Sequence, residues 1–396
     1  MTVIYFFTSI FHFIFEIIPW CFYRIYFIIL GLMISSVSFA QNWTDAASVK
    51  KELIKAAQSG QSYYSQYYFY NPKKSGNLNT IYKQVLQCQP RIYGVDFHHA
   101  SGTWSNPQKT KTARNNLIKI VKDTWHERRA IASFSWHLEN PYVPTGFSRD
   151  GFRYIHHKTI PDYPKQHRYI VKEILENSGD VCGIGNASGI DNEKHYNTPR
   201  EWFEERCKEV AAIINEFVDD NGKPIPFIFR LWHEWEDSWM WWGKKYVSAE
   251  DYKRFFILTE QTIKKYAPKA QILWGYCPDR FWDTEEQFME RYPGDEFVDV
   301  IGFDDYGIGL SEDNFKATVN RAQIVSRFAA QKKMATALFE TSNNKQKVPN
   351  YYTDHLNRML KAKNVHLGIV QIWSLKNFND SLDLRTFVNQ KNIISK

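Results

Sequence analysis

The chain has 396 residues, 43% of them hydrophobic and 23% charged, the make-up of an ordinary globular protein with ample material for one large core. The net charge of +7 is dispersed, with no basic run longer than KK or RR, which argues against a nucleic-acid reader, since such proteins gather their cations on one element. Aromatic content is the outlier at 16%, with 14 Trp, 23 Tyr and 28 Phe, so the rings need an explanation in packing or in binding.

The first forty residues are different material. IYFIILGLMISSVSFA (25–40) follows Arg24 and reads as an export signal ending at Ala40. The apolar stretch upstream carries Glu16 and Pro19, and fits either a start codon assigned too early or a membrane anchor. Cleavage after Ala40 is the preferred reading. It leaves residues 41–396 as one catalytic domain, secreted, periplasmic or held at the cell surface, with no stable membrane insertion. Export permits disulfides, and the remaining Cys88, Cys182, Cys207 and Cys277 allow three connectivities, of which sequence selects none. No pair has CxxC spacing, so no zinc site is expected.

From Gln41 onward short apolar runs alternate with longer amphipathic ones. SYYSQYYFYN (62–71) is a weak strand; RIYGVDF (91–97), AIASFSW (130–136), PFIFRLW (226–232), QILWGY (271–276), VDVIGF (298–303), MATALF (334–339) and HLGIVQIW (366–373) are clear ones, apolar enough to be buried on both faces. Helical patterns lie between them at 112–127, 165–178, 199–218, 248–266, 314–332 and 348–363. Thr112 and Thr198-Pro199 supply start signals, and SAED (248–251) has the capping-box spacing. Strand then helix, eight times over, predicts an α/β fold of the TIM (β/α)8 barrel type, with loop insertions. An open doubly wound sheet would carry a Gly-rich phosphate turn after an early strand, and there is none.

A barrel of this kind works at the C-terminal ends of its strands, and there the sequence turns polar and aromatic. Asp96, Trp136-His137 with Asn140, His233-Glu234, Asp279, Asp304-Asp305-Tyr306, Glu340 and Trp373 each stand just past an apolar run. Singly, an Asp in such a place is most often a helix cap or a turn residue. Together they converge on one mouth. Glu234 after strand four and Glu340 after strand seven would face each other there, at the roughly 5–5.5 Å that a retaining glycosidase uses. One glutamic acid would protonate the departing oxygen and the other would attack the anomeric carbon; carboxylates so close push their pKa values apart. Sugars stack their C–H faces on flat rings, so Trp136, Trp239, Trp373 and Tyr306 are read as platforms, and Trp241 and Trp242 as core.

FSWHLENP (134–141), FRLWHEWEDSWMWWG (229–243), YPGDEFVDVIGFDDYG (292–307), ALFET (337–341) and QIWSLKN (371–377) give the chain from about Tyr63 to Phe378 a resemblance to glycoside hydrolase family 26, the β-mannanases of the retaining barrel clan. The resemblance implies Glu234 as acid/base and Glu340 as nucleophile. It implies His233 beside the acid, His137 and Asn140 lining the −1 subsite, and Trp239 on the leaving-group side. Asp304 and Tyr306 would stand near the nucleophile, and Trp373 beneath the −1 sugar. It implies neither metal nor organic cofactor. This sequence departs from the family at Trp235-Glu236-Asp237, where a small polar stretch such as Asn-Gly is common, and at Ser374, where a basic residue is common. CGIGNASGIDNEKHYN (182–197) reads as a loop that narrows one end of the cleft.

The expectation is a secreted, retaining β-1,4-mannanase acting on mannan, glucomannan or galactomannan as a monomer. Exo release of mannobiose, β-1,3-xylanase and mixed-linkage glucanase activities stay open. So do a non-catalytic carbohydrate-binding protein and a membrane-tethered partner-binding protein.

Overall fold

A computed structural model describes residues 43–67, 87–98, 100–101, 107–138, 169–179, 196–236, 240–343, 348–373 and 381–395. The export segment (1–40), Cys182 and most of the 182–197 loop lie outside the described residues. In chain order the elements are α1 (Ala46–Gln58), β1 (Ser62–Tyr67), β2 (Ile92–Asp96), α2 (Pro107–Arg128), β3 (Ile131–Ser135), α3 (Ile170–Glu176), α4 (Pro199–Asn215) and β4 (Phe227–Arg230). Then come α5 (Ala249–Tyr266), β5 (Ile272–Tyr276), α6 (Glu285–Met289), β6 (Val300–Asp304), α7 (Glu312–Lys332) and β7 (Ala335–Thr341). A π-helical turn (Tyr351–Leu356) runs into α8 (Asn357–Leu360), followed by β8 (Ile369–Ile372), α9 (Ser381–Val388) and β9 (Ile393–Ile394).

Strands β1 to β8 pair in sequence order, all parallel, and β1 pairs with both β2 and β8, which closes the barrel. The fold is the TIM barrel that the alternation predicts, with β9 added beside β1. Nearly every strand residue is buried, as parallel strands covered on both faces require. Phe134 of β3 stacks on Phe97 at 4.1 Å, and Phe217, which follows α4, meets Phe134 at 5.6 Å and Phe227 of β4 at 5.5 Å. Two glycines allow close approach: a Cβ on Gly302 would lie 2.2 Å from the Ala337 carbonyl, and one on Gly94 2.5 Å from the Tyr67 ring.

Local chemistry sets the helix starts. Thr198 caps α4, with Pro199 in the first turn; Ser248 caps α5 by accepting the Asp251 N–H at 3.0 Å; Ser311 caps α7. Each such cap stabilises its helix by about 1 kcal/mol. Thr112 is not a cap. Helix α2 begins at Pro107, and the Thr112 hydroxyl bonds back to the Gln108 carbonyl at 2.8 Å inside it. Of the helix read over 165–178, residues 165–168 lie outside the described ones and the rest carries α3; that over 348–363 divides into the π turn and α8. Helix α1, capped by Asp45 and Ser48, is an element the alternation pattern did not reveal. Cys207 and Cys277 are free buried thiols, and Cys88 is buried.

Candidate active site

Glu234 projects from the chain that leaves β4. To reach its place the backbone enters the left-handed region twice, at Trp232 (φ 47°) and at Glu234 (φ 55°). For bulky residues each such excursion costs about 1–2 kcal/mol and persists only when the surroundings impose it. Here they do. Tyr252 donates to the Trp232 carbonyl at 2.8 Å, Trp242 Nε1 donates to the His233 carbonyl at 2.9 Å, and the Glu234 N–H donates to the Cys277 carbonyl at 3.1 Å. The Trp232 indole donates to Thr259 at 3.0 Å and packs on Phe255 at 4.5 Å, Trp242 at 5.2 Å and Trp136 at 5.5 Å.

Trp136 is therefore not a sugar platform. It is fully buried, its Nε1 donates to Ser101 at 3.0 Å, and its ring supports Trp232 and Phe229. Trp241 and Trp242 are buried in the same cluster, as expected of core. The rings around the acid act first as scaffold for a strained turn.

Arg230, the last residue of β4, is 1% exposed. Its guanidinium bonds Asp304 at the end of β6 at 2.6 and 2.8 Å and Glu340 in β7 through its other nitrogen. Burial opposes the Arg230 charge, but Asp304 and Glu340 outweigh it and hold its pKa well above the ordinary value. The other Glu340 oxygen accepts a 2.6 Å hydrogen bond from Tyr306. A register shift between Phe303 and Asp304, against β7, sets Asp304 beside Glu340. One ligand oxygen or nitrogen from each of His233, Asp304 and Glu340 lie within 4.8 Å of one another, a spacing that could take a metal ion. The Arg230 guanidinium already fills the cation's role for two of the three.

His137 stands edge-on to His233 at 4.6 Å and pairs through Nδ1 with Asp96. Asp96 also accepts from the His98 N–H at 2.6 Å, Ser135 at 2.8 Å and Tyr67 at 3.3 Å. Burial raises the Asp96 carboxyl, but His137, His98 and Ser135 prevail and hold it well below the usual carboxylate range. His233 is 1% exposed, with Nδ1 unbonded among the described residues; burial, then Arg230 and His137, push its pKa well down, so the imidazole is neutral. Trp373 is half-buried, 5.9 Å from the Tyr67 ring and 6.5 Å from Tyr306.

The accessible mouth is thus lined by half-buried Glu234, Asp96, His137, Tyr306 and Trp373, over a floor of buried Arg230, His233, Asp304 and Glu340. Burial pushes the Glu234 carboxyl well above its ordinary value of 4.5, and Asp279, Glu340 and Asp304 add to the effect against Arg230. Influence from Glu340 and Asp304 on Glu234 is what neighbours across one mouth exert. Of the residues singled out from sequence, Glu234, Glu340, His233, His137, Asp304, Tyr306 and Trp373 converge there. Asn140 and Trp239 lie outside the described residues. The pairing of Arg230 with Asp304 and Glu340 was missed, and so was Tyr67. An arginine inside the apolar run FIFRLW was the available signal for the first, because a buried guanidinium must find carboxylates.

A closed parallel barrel that gathers paired carboxyls at the C-terminal ends of its strands offers the arrangement that glycoside hydrolysis by two carboxylates requires. Residues 191–378 match the sequence profile of glycosyl hydrolase family 26. A mannan endo-1,4-beta-mannosidase of Bifidobacterium adolescentis is 31% identical over 143 residues, 35% of this chain and 14% of that protein. Another, of Bacillus subtilis, is 28% identical over 109 residues, 25% of this chain and 29% of that one. The matched stretches span less than a third of these relatives' length. Among solved structures, GH26C from Muricauda sp. MAR_2010_75 aligns with a TM-score of 0.71 at 20% identity, covering 89% of this chain and 91% of that one. A GH26 beta-mannanase from Bacteroides ovatus aligns with a TM-score of 0.66 at 19% identity, over 87% and 94%. The chain is thus similar to glycosyl hydrolase family 26 over residues 191–378, the stretch that carries Glu234 and Glu340.

Proposed function

We propose that the protein hydrolyses β-1,4-mannans (mannan, glucomannan or galactomannan) by double displacement with retention, cutting within the polymer. The observation that carries this reading is the unlike treatment of the two glutamates. Glu340 accepts from Arg230 and Tyr306, an arrangement suited to a carboxylate that attacks. Glu234 has a carboxyl that burial and neighbouring carboxylates keep protonated. In the first step Glu340 bonds to the anomeric carbon as the glycosidic C–O bond breaks and the Glu234 proton passes to the departing oxygen. In the second, Glu234 takes a proton from water, the water oxygen bonds to the anomeric carbon, and Glu340 leaves as carboxylate. Neutral His233 adds no positive charge beside the acid, and half-buried Trp373 offers a flat face for a pyranose.

The names of the relatives support mannan as substrate. The apolar segment ending at Ala40 supports export. The test is proton NMR of manno-oligosaccharide hydrolysis. The β-anomer appearing first, with a ladder of products, is the expected result. The α-anomer first would overturn the mechanism, and a uniform dimer would overturn the endo mode.

A further inference from the structure

Glu236 stands two residues beyond Glu234 and takes no part in the reaction described. It is 4% exposed; one carboxyl oxygen accepts the Asp279 N–H at 2.8 Å and the other has no hydrogen-bond partner among the described residues. A buried carboxyl with an orphaned oxygen is a costly way to satisfy one N–H, since an amide would serve. Asp279 is itself 4% exposed, in the stretch after β5 that gathers the mouth together. Within three residues the Cys277 carbonyl holds the Glu234 N–H at 3.1 Å, the Pro278 carbonyl holds the Asp304 N–H at 2.9 Å, and Asp279 holds Glu236. Glu234 in its left-handed conformation is pinned on both sides, by its own amide and by the side chain two residues on.

We propose that Glu236, by holding the Asp279 N–H, and Asp279 together position Glu234 and govern the pH range over which it delivers its proton. The inference rests on Glu234 being the proton donor. The groups acting on Glu234 are Asp279 beyond β5, Glu340 in β7, Asp304 in β6 and Arg230 in β4; after burial, Asp279 is the foremost of these. Those acting on Glu236 are Asp279, Glu234, the Tyr252 and Tyr276 phenols and Arg291. Burial, the largest influence on Glu236, pushes its carboxyl well up, so it serves as a neutral acceptor for the Asp279 N–H. Both are positioning residues. Neither is required to touch substrate.

The experiment measures pH profiles of kcat and KM on mannan for the full chain and for Asp279→Asn, Glu236→Leu and Glu236→Gln. Asp279→Asn is expected to move the alkaline limb of kcat about one pH unit toward acid, because a like charge beside Glu234 is gone. Glu236→Leu orphans the Asp279 N–H and is expected to lower kcat roughly tenfold with KM little changed, while Glu236→Gln, which can accept the same N–H, rescues it. An unmoved alkaline limb in Asp279→Asn, or native kcat in Glu236→Leu, overturns the proposal. The Glu234 titration is also followed without substrate, by the infrared carboxyl band that disappears in Glu234→Gln. That band must titrate at lower pH in Asp279→Asn, so failure here is distinct from a failure of the parent protein to cleave mannan.

Discussion

Tyr306 and Glu340 meet at 2.6 Å, the phenol donating to the carboxylate oxygen that Arg230 leaves open. Burial, then Glu340 and Glu234, push the phenol's pKa well up, so it remains a donor through the alkaline range. Tyr306→Phe keeps the ring and deletes the donor. A hydrogen bond to a charged group contributes about 1.5–3 kcal/mol, so kcat/KM should fall roughly 10–100-fold on mannan. The melting temperature should change little; native turnover would remove Tyr306 from the site.

Glu234→Ala and Glu340→Ala should each reduce mannan hydrolysis by roughly 100-fold or more, with the circular dichroism of the folded chain retained. A reducing-sugar assay reads the loss. Near-native rates in either variant would refute the assignment of roles.

Arg230→Met leaves Asp304 and Glu340 buried without their cation. Removing one partner of a buried pair costs about 3–5 kcal/mol, so the melting temperature should fall by roughly 5 °C. Calorimetry reads the shift, and an unchanged transition would mean the arginine is not what holds the two carboxyls.

Glu234 and His233 make stability depend on pH in opposite senses. The Glu234 carboxyl is raised in the fold, so its contribution is whole below the ordinary 4.5 and is lost as pH rises toward the folded value. His233 is lowered, so its contribution is present above 6.5 and is lost as pH falls toward the folded value. Glu234→Gln should thus be the more stable protein at pH 8, with its advantage shrinking toward pH 4.5, although it is inactive. Melting curves across that range check the sign; an advantage that grows toward acid would contradict it.

The strands were legible because a parallel barrel buries both faces, leaving short apolar runs ending in polar residues. Both glutamates were legible for the same reason, since each ends such a run. Trp136 was misread by position alone. Ser135 points toward Asp96 and Tyr67, so period-two alternation sends Trp136 outward with Phe134 and brings His137 back to the mouth. Counting by twos from a polar strand residue would have separated them. The turn at Trp232 and Glu234 breaks that count, since no local pattern announces left-handed backbone at non-glycine residues; it depends on Tyr252, Trp242 and Cys277 from elsewhere in the chain. The Arg230 partners were hidden likewise, because 74 and 110 residues separate it from Asp304 and Glu340.

Trp232, Trp241 and Trp242 lie with ring centroids 5.2–5.7 Å apart, and the first of them starts the turn that ends at Glu234. Indoles at that range couple their electronic transitions. The far-ultraviolet dichroism of the protein should therefore carry a tryptophan couplet whose loss marks the moment this corner loosens, giving a built-in optical gauge of catalytic geometry that needs neither label nor substrate.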